Sequence, residues 1–136
     1  EFLSFSCYMS QVVASNPEDY EGVGGGNLSL GLKNPYLSAS DWGWQIDPIG
    51  LRISCVDLYD RYRKPLFIVE NGLGARDVLT EDNQVHDQYR IEYLKKHFEC
   101  MLDAIVEDGV ELMGYTTWAP IDLLYQSKKF LQVMMN

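Results

Sequence analysis

Glu70 closes the apolar run Leu66-Phe67-Ile68-Val69, and Asn71-Gly72 follow it where the chain turns polar. A run of that length reads as a strand apolar on both sides, inside a parallel sheet. A carboxylate at the end of such a strand stands where nucleophilic or acid–base chemistry is done. The plain alternative is a charged residue that opens a loop, and position alone weighs the two evenly. Tyr8 ends a short apolar and aromatic segment, residues 2–8. By residue type it reads as a core aromatic with a satisfied hydroxyl. Trp44 and Trp118 read as core on the same grounds. Cys7, Cys55 and Cys100 are far apart and show no Cys-x-x-Cys or Cys/His zinc spacing. They read as small buried hydrophobes in a reducing cytosol. His86 and His97 stand apart from them and from each other, as surface or helix-face histidines, so no metal site is implied.

The elements that position these residues follow from pattern. Residues 2–8 suggest a buried strand. Residues 9–46 are rich in turn formers, among them Asn16-Pro17, Gly24-Gly25-Gly26 and Asn34-Pro35, and form a long loop of the kind that is functional or mobile. Neither a Gly-Lys-Ser/Thr sequence nor a helix start follows the glycine run, which makes it a loop tip and not a phosphate cradle. Asp47-Pro48 predicts a helix start, with Leu51, Cys55, Leu58, Tyr59 and Tyr62 on one face. Lys64-Pro65 ends that helix ahead of the strand that carries Glu70. Residues 71–86 are a second polar loop. Asp87 is placed to cap the next helix, whose predicted buried face is Ile91, Leu94, Phe98, Met101, Leu102 and Ile105, and Asp108-Gly109 closes it. Val110 to Trp118 reads as a third strand.

Strands alternating with helices imply parallel pairing and right-handed crossovers. Long segments follow the strands and short ones follow the helices, as in a (β/α)8 barrel, whose active site is built from the loops after the strands. A doubly wound sheet shares the alternation, but no glycine fingerprint follows any strand. With 136 residues and 46% apolar content, the chain has material for one domain and not for two. A net charge of −9 argues against nucleic-acid binding, and no apolar run approaches the length of a membrane span. No signal-peptide pattern is visible. The chain opens on Glu1 and its second residue already reads as strand, so the start of the gene product is expected upstream.

The segment LFIVENGLGA (Leu66 to Ala75) resembles the nucleophile motif of glycoside hydrolase family 1, in which [IV]-x-E-N-G carries the attacking carboxylate at the end of the seventh barrel strand. WGWQIDPIGLR (Trp42 to Arg52), DQYRIEYLKKH (Asp87 to His97) and MGYTTWAPIDL (Met113 to Leu123) resemble the segments before and after it. The WGWQIDP and GYTTW forms are most similar to the bacterial 6-phospho-β-glucosidases. The resemblance implies an α/β fold, the C-terminal part of a TIM barrel with about three of eight parallel strands. It also implies retaining hydrolysis, for which two carboxyl groups stand roughly 5–5.5 Å apart. Glu70 would attack the anomeric carbon. Tyr8 would hydrogen-bond that carboxylate. Trp44 would line the leaving-group side of the cleft, and Trp118 would form a floor under the glycone ring. A β-linked phosphodisaccharide or aryl glycoside would be the substrate. No metal or organic cofactor is needed, and the cytoplasm is the expected location.

The chain also departs from that pattern. It has no N-E-P acid/base motif, and no other carboxylate has a matching context. The family's glycone-binding Gln/His motif is absent as well. After Leu123 the phospho-sugar enzymes carry a serine, then a lysine and a tyrosine that hold the 6-phosphate. Here residues 124–136 diverge: Tyr125 stands near the serine position, and Ser127, Lys128 and Lys129 read as a solvated basic tail. The expectation is one partial-barrel domain over residues 1–136, a truncated or split product inactive alone. Two alternatives stay open: a glycosidase of neutral sugars, or a non-catalytic remnant that associates with a complementary N-terminal fragment.

Overall fold

The computed structural model describes residues 1–20 and 31–118. The glycine run at 24–26 and the divergent tail, with Tyr125, Ser127, Lys128 and Lys129, lie outside the described residues. Strands β1 (Leu3–Ser6), β2 (Leu66–Asn71) and β3 (Leu112–Thr117) alternate with helices α1 (Pro48–Tyr62) and α2 (Gln88–Val106). The sheet has the order β1-β2-β3, and both pairings are parallel. β1 is shorter than the predicted strand, so Tyr8 lies two residues beyond its end, and Trp118 lies one beyond β3.

Local chemistry sets the helix ends. The Asp47 carboxylate accepts from the Gly50 amide at 2.9 Å, and Pro48 takes the first helical turn, where its missing N–H costs nothing. Arg63, in the left-handed conformation with φ 48°, stops α1 just before Lys64-Pro65. Gly109, with φ 69°, turns the chain out of α2. Asp87 stands at the start of α2 but makes no side-chain cap. Its carboxylate binds Arg90 at 2.6 Å instead.

The two helices pack on each other and on one face of the sheet. Leu51, Cys55, Leu66, Ile68, Met101, Ala104 and Val110 form the core between them, with Leu58 and Tyr59 partly buried against it. Tyr62, predicted on the buried face of α1, is exposed. On α2 the buried residues are Tyr93, His97, Met101 and Ala104. Of the predicted face only Met101 is buried; Ile91, Phe98, Leu102 and Ile105 are exposed, although the Phe98 ring meets Tyr115 edge-on at 5.1 Å. The helix is apolar on more than one side, and hydrophobicity alone selects the greasier stripe. Contact with α1 and the sheet takes the stripe bearing Tyr93 and His97. His86 is exposed as expected, whereas His97 is fully buried. Cys55 is buried, with its thiol pushed up to about 12 by desolvation, and all three cysteines are free. No helix among the described residues is long and apolar enough to cross a membrane.

An irregularity in β2 decides what the sheet presents. Leu66 and Ile68 are buried toward the helices, but then Val69 and Glu70 are both exposed and Asn71 is buried. The pairing with β1 shifts at this point, from Phe5 opposite Ile68 to Ser6 opposite Glu70. The extra residue reverses the alternation. Asn71 thereby continues the buried row, and Glu70 joins Ser6 on the open face.

Candidate active site

Four predicted residues, Glu70, Tyr8, Trp44 and Trp118, come together at the carboxyl end of the sheet. The Tyr8 hydroxyl donates to Glu70 Oε2 at 2.6 Å, and Ser6 Oγ lies 3.4 Å from the same oxygen. Burial, reinforced by the bond to Glu70, raises the Tyr8 phenol well above its ordinary range. Tyr8 therefore holds its proton throughout the neutral range and is a fixed donor to the carboxylate. A hydrogen bond to the charged form of an acid favours that form and orients the accepting oxygen.

Aromatic rings wall this contact. Tyr8 meets Trp44 edge-on at 5.4 Å and Trp118 at 5.8 Å, and the two indoles lie 5.5 Å apart at a 32° tilt. Trp42 adds a third indole, 6.1 Å from Trp44. The turn that carries Trp42 and Trp44 is closed by backbone bonds from Ser40 to Trp44 and from Gly43 to Ser40. Gly43 has φ 79°, a conformation that a side chain would strain. The Ser40 hydroxyl donates to the Gly74 carbonyl at 2.6 Å, which ties this turn to the loop after Glu70. Buried Gln45 donates to the Ser10 carbonyl and accepts from the Asn34 amide, joining the first loop to the same end.

The loop after Glu70 runs so close to the rings that it needs glycine. A Cβ on Gly74 would sit 2.5 Å from Trp42 and 3.0 Å from Trp44, and one on Gly72 would sit 3.1 Å from Trp118. Farther along, Asp77 accepts from Tyr89 and pairs with Arg90 at 3.1 Å, which anchors the loop to the start of α2. Sequence reasoning missed several of these supports: Ser6, Ser40 and Trp42. It also missed the bond of 3.0 Å from the Asn71 side-chain amide to the Tyr93 hydroxyl; both residues lie inside segments that carry the family resemblance, yet nothing in their spacing says that they touch.

A parallel sheet with both helices on one face, and a carboxylate among aromatic rings at its carboxyl end, has the arrangement of a segment of a (β/α)8 barrel, whose active sites lie at that end. Residues 1–133 match the family model for glycosyl hydrolase family 1, and the chain belongs to that family. It is 57% identical over 127 residues to the aryl-phospho-beta-D-glucosidase BglH of Bacillus subtilis (strain 168), covering 93% of this chain and 27% of that protein. It is also 57% identical to a 6-phospho-beta-glucosidase of Clostridium longisporum over 131 residues, with 93% of this chain and 27% of the relative covered. Among solved structures, the beta-glucosidase from Thermotoga maritima in complex with deoxynojirimycin superposes with a TM-score of 0.70 at 31% identity, covering 86% of this chain and 24% of that one. The chain thus spans about a quarter of the length of the curated relatives that it matches. Its fold is the expected partial (β/α)8 barrel.

Proposed function

We propose that these residues supply the nucleophile of a retaining β-glycosidase that acts on 6-phosphorylated β-glucosides, disaccharide or aryl. The Tyr8–Glu70 hydrogen bond of 2.6 Å, at the open end of three parallel strands, carries the reading. Glu70 attacks the anomeric carbon and displaces the aglycone; water then releases the sugar from the glycosyl ester. Tyr8 steadies the carboxylate before attack. Trp118 presents a face to the glycone, and Trp44 and Trp42 line the path of the leaving group. A carboxylic acid must protonate the departing oxygen, and no carboxylate of these 136 residues has the context for it. That acid comes from an N-E-P segment, in the same polypeptide or in a complementary one. Phospho-sugar substrates and free thiols fit a cytoplasmic setting.

The experiment uses a complete barrel that carries this segment, either the whole gene product or a fusion to the N-terminal strands of a relative. Hydrolysis of a chromogenic β-glucoside is measured with and without the 6-phosphate. Preference for the phosphorylated substrate supports the reading, and equal or better use of the neutral one replaces it with a neutral-sugar glycosidase. A 2-fluoro glucosyl inactivator in its 6-phospho form should add one glycosyl mass on the Glu70 peptide. Labelling elsewhere, or in Glu70→Gln, would overturn the assignment.

A further inference from the structure

We propose that Tyr93 of α2, acting with Asn71, is a positioning residue for the nucleophile pair: it holds the backbone of Tyr8 so that the Tyr8 hydroxyl meets Glu70. The inference rests on the reading of Glu70 as nucleophile. Tyr8 lies beyond the end of β1, and the last backbone bond between the two segments runs from the Cys7 amide to the Glu70 carbonyl at 3.0 Å. Past that point side chains hold the chain. Asn71 Nδ2 donates to the Cys7 carbonyl at 2.7 Å and to the Tyr93 hydroxyl at 3.0 Å. The Tyr93 hydroxyl donates in turn to the Tyr8 carbonyl at 3.3 Å. On the other side, the Tyr115 hydroxyl donates to Asn71 Oδ1 at 2.8 Å, and the Trp118 amide donates to the Asn71 carbonyl at 2.8 Å.

Counting protons fixes the direction of every bond. The Asn71 amide has two N–H groups and both are used; each tyrosine has one proton, and each is used. Turning the Asn71 amide over would face its NH2 toward the Tyr115 hydroxyl and leave the Cys7 carbonyl without its donor. The bracket is therefore unique, and it joins the exits of all three strands. It is also rigid. Asn71 is 0% exposed and Tyr93 2%, and the Tyr93 ring stacks on His97 at 3.8 Å. Satisfying buried polar groups would explain such bonds anywhere in a core. Here the chain of bonds ends on the backbone of the residue whose side chain grips the nucleophile.

The test again uses the complete barrel. Tyr93→Phe removes one oxygen and keeps the ring. The expected result is a fall in kcat/KM of roughly 3–10-fold, carried by kcat more than KM, as for an interaction that matters in the transition state. KM should change little, because the Tyr93 hydroxyl contacts the backbone of Tyr8 and not the Glu70 carboxylate. Tyr8→Phe should lower kcat further, and the double variant should lower it no further than Tyr8→Phe alone. A Tyr93→Phe enzyme that melts earlier but keeps its kcat would reduce Tyr93 to a structural role and overturn the proposal. If Tyr8→Phe itself leaves kcat unchanged, the role of Tyr8 at Glu70 falls, and the proposal falls with it. If labelling shows that Glu70 is not the nucleophile, the functional reading fails first and independently. Should Tyr93→Phe not fold, Tyr115→Phe carries the test: it frees the Asn71 amide and should lower kcat by less, again with little change in KM. A kcat unchanged in Tyr115→Phe would then count against the bracket.

Discussion

Glu70 and Tyr8 show how one residue's chemistry depends on its neighbours. A carboxylate at a loop start is ordinary, but one that accepts a 2.6 Å bond from a tyrosine kept protonated is held in one orientation, which is what the proposed nucleophile needs. The rings around the pair depend on residues with no side chain at all. Gly74→Ala would place a methyl group 2.5 Å from the Trp42 ring. Overpacking of this kind costs about 1–3 kcal/mol and would displace the Trp42 and Trp44 rings from the proposed path of the leaving group. In a complete barrel we expect KM for an aryl glycoside to rise roughly 3–10-fold, with kcat changed less, as positioning is lost. Steady-state kinetics and a shifted tryptophan emission spectrum check this together, and unchanged values for both would remove Trp42 and Trp44 from the cleft.

The strands and helices carry constraints of their own. Gly114 in β3 lies against the Phe67 ring of β2, and a Cβ there would approach it to 2.6 Å. Gly114→Ala should destabilise by about 1–3 kcal/mol, read as a lower urea midpoint, with the 2-fluoro label still formed on Glu70 at normal stoichiometry. In α2, burial lowers the His97 pKa below its ordinary 6.5, so the folded ring stays neutral. The unfolded chain takes up a proton near pH 6.5 that the folded chain refuses. His97 therefore costs no stability above pH 7, and stability falls as pH falls from 6.5 toward the folded value. Melting temperature measured between pH 7.5 and 5.5 should drop more steeply for the native sequence than for His97→Phe. Parallel slopes would mean that the ring is protonated in the folded state.

At the scale of the whole molecule, the segment covers 27% of its curated relatives, and its site has one carboxylate where the chemistry needs two. A polypeptide of these 136 residues alone should not turn over an unactivated β-glucoside phosphate at a useful rate. General acid catalysis is worth roughly 10²–10⁴-fold, and no carboxylate of these residues has the context for the acid of the proposed mechanism. Incubation with the 2-fluoro 6-phosphoglucosyl inactivator should leave the mass of the isolated polypeptide unchanged. Adding the N-terminal strands of a relative should bring the adduct on Glu70. Efficient hydrolysis by the isolated polypeptide would mean that one of its own carboxylates serves as the acid.

What could be read along the chain was whatever local chemistry decides. The Asp47-Pro48 start, the apolar run that ends at Glu70, the Asp108-Gly109 stop and the alternation of strands and helices each depend on a few adjacent residues, and the structure has them all. The likeness of short segments to a family also survives without coordinates, because a catalytic turn is a local sequence. Contacts across the fold were not legible. The stripe of α2 that is buried depends on where α1 and the sheet stand, so the most hydrophobic stripe was a poor guide. The reversal at Val69 is a matter of pairing between strands, and it alone turns Glu70 to the open face. Asn71, Tyr93 and Tyr115 are separate polar residues in the sequence, and only the meeting of β2, α2 and β3 makes them one network. A hydrogen bond's partner can lie anywhere in the chain, whereas a cap or a turn must find its partner within a few residues.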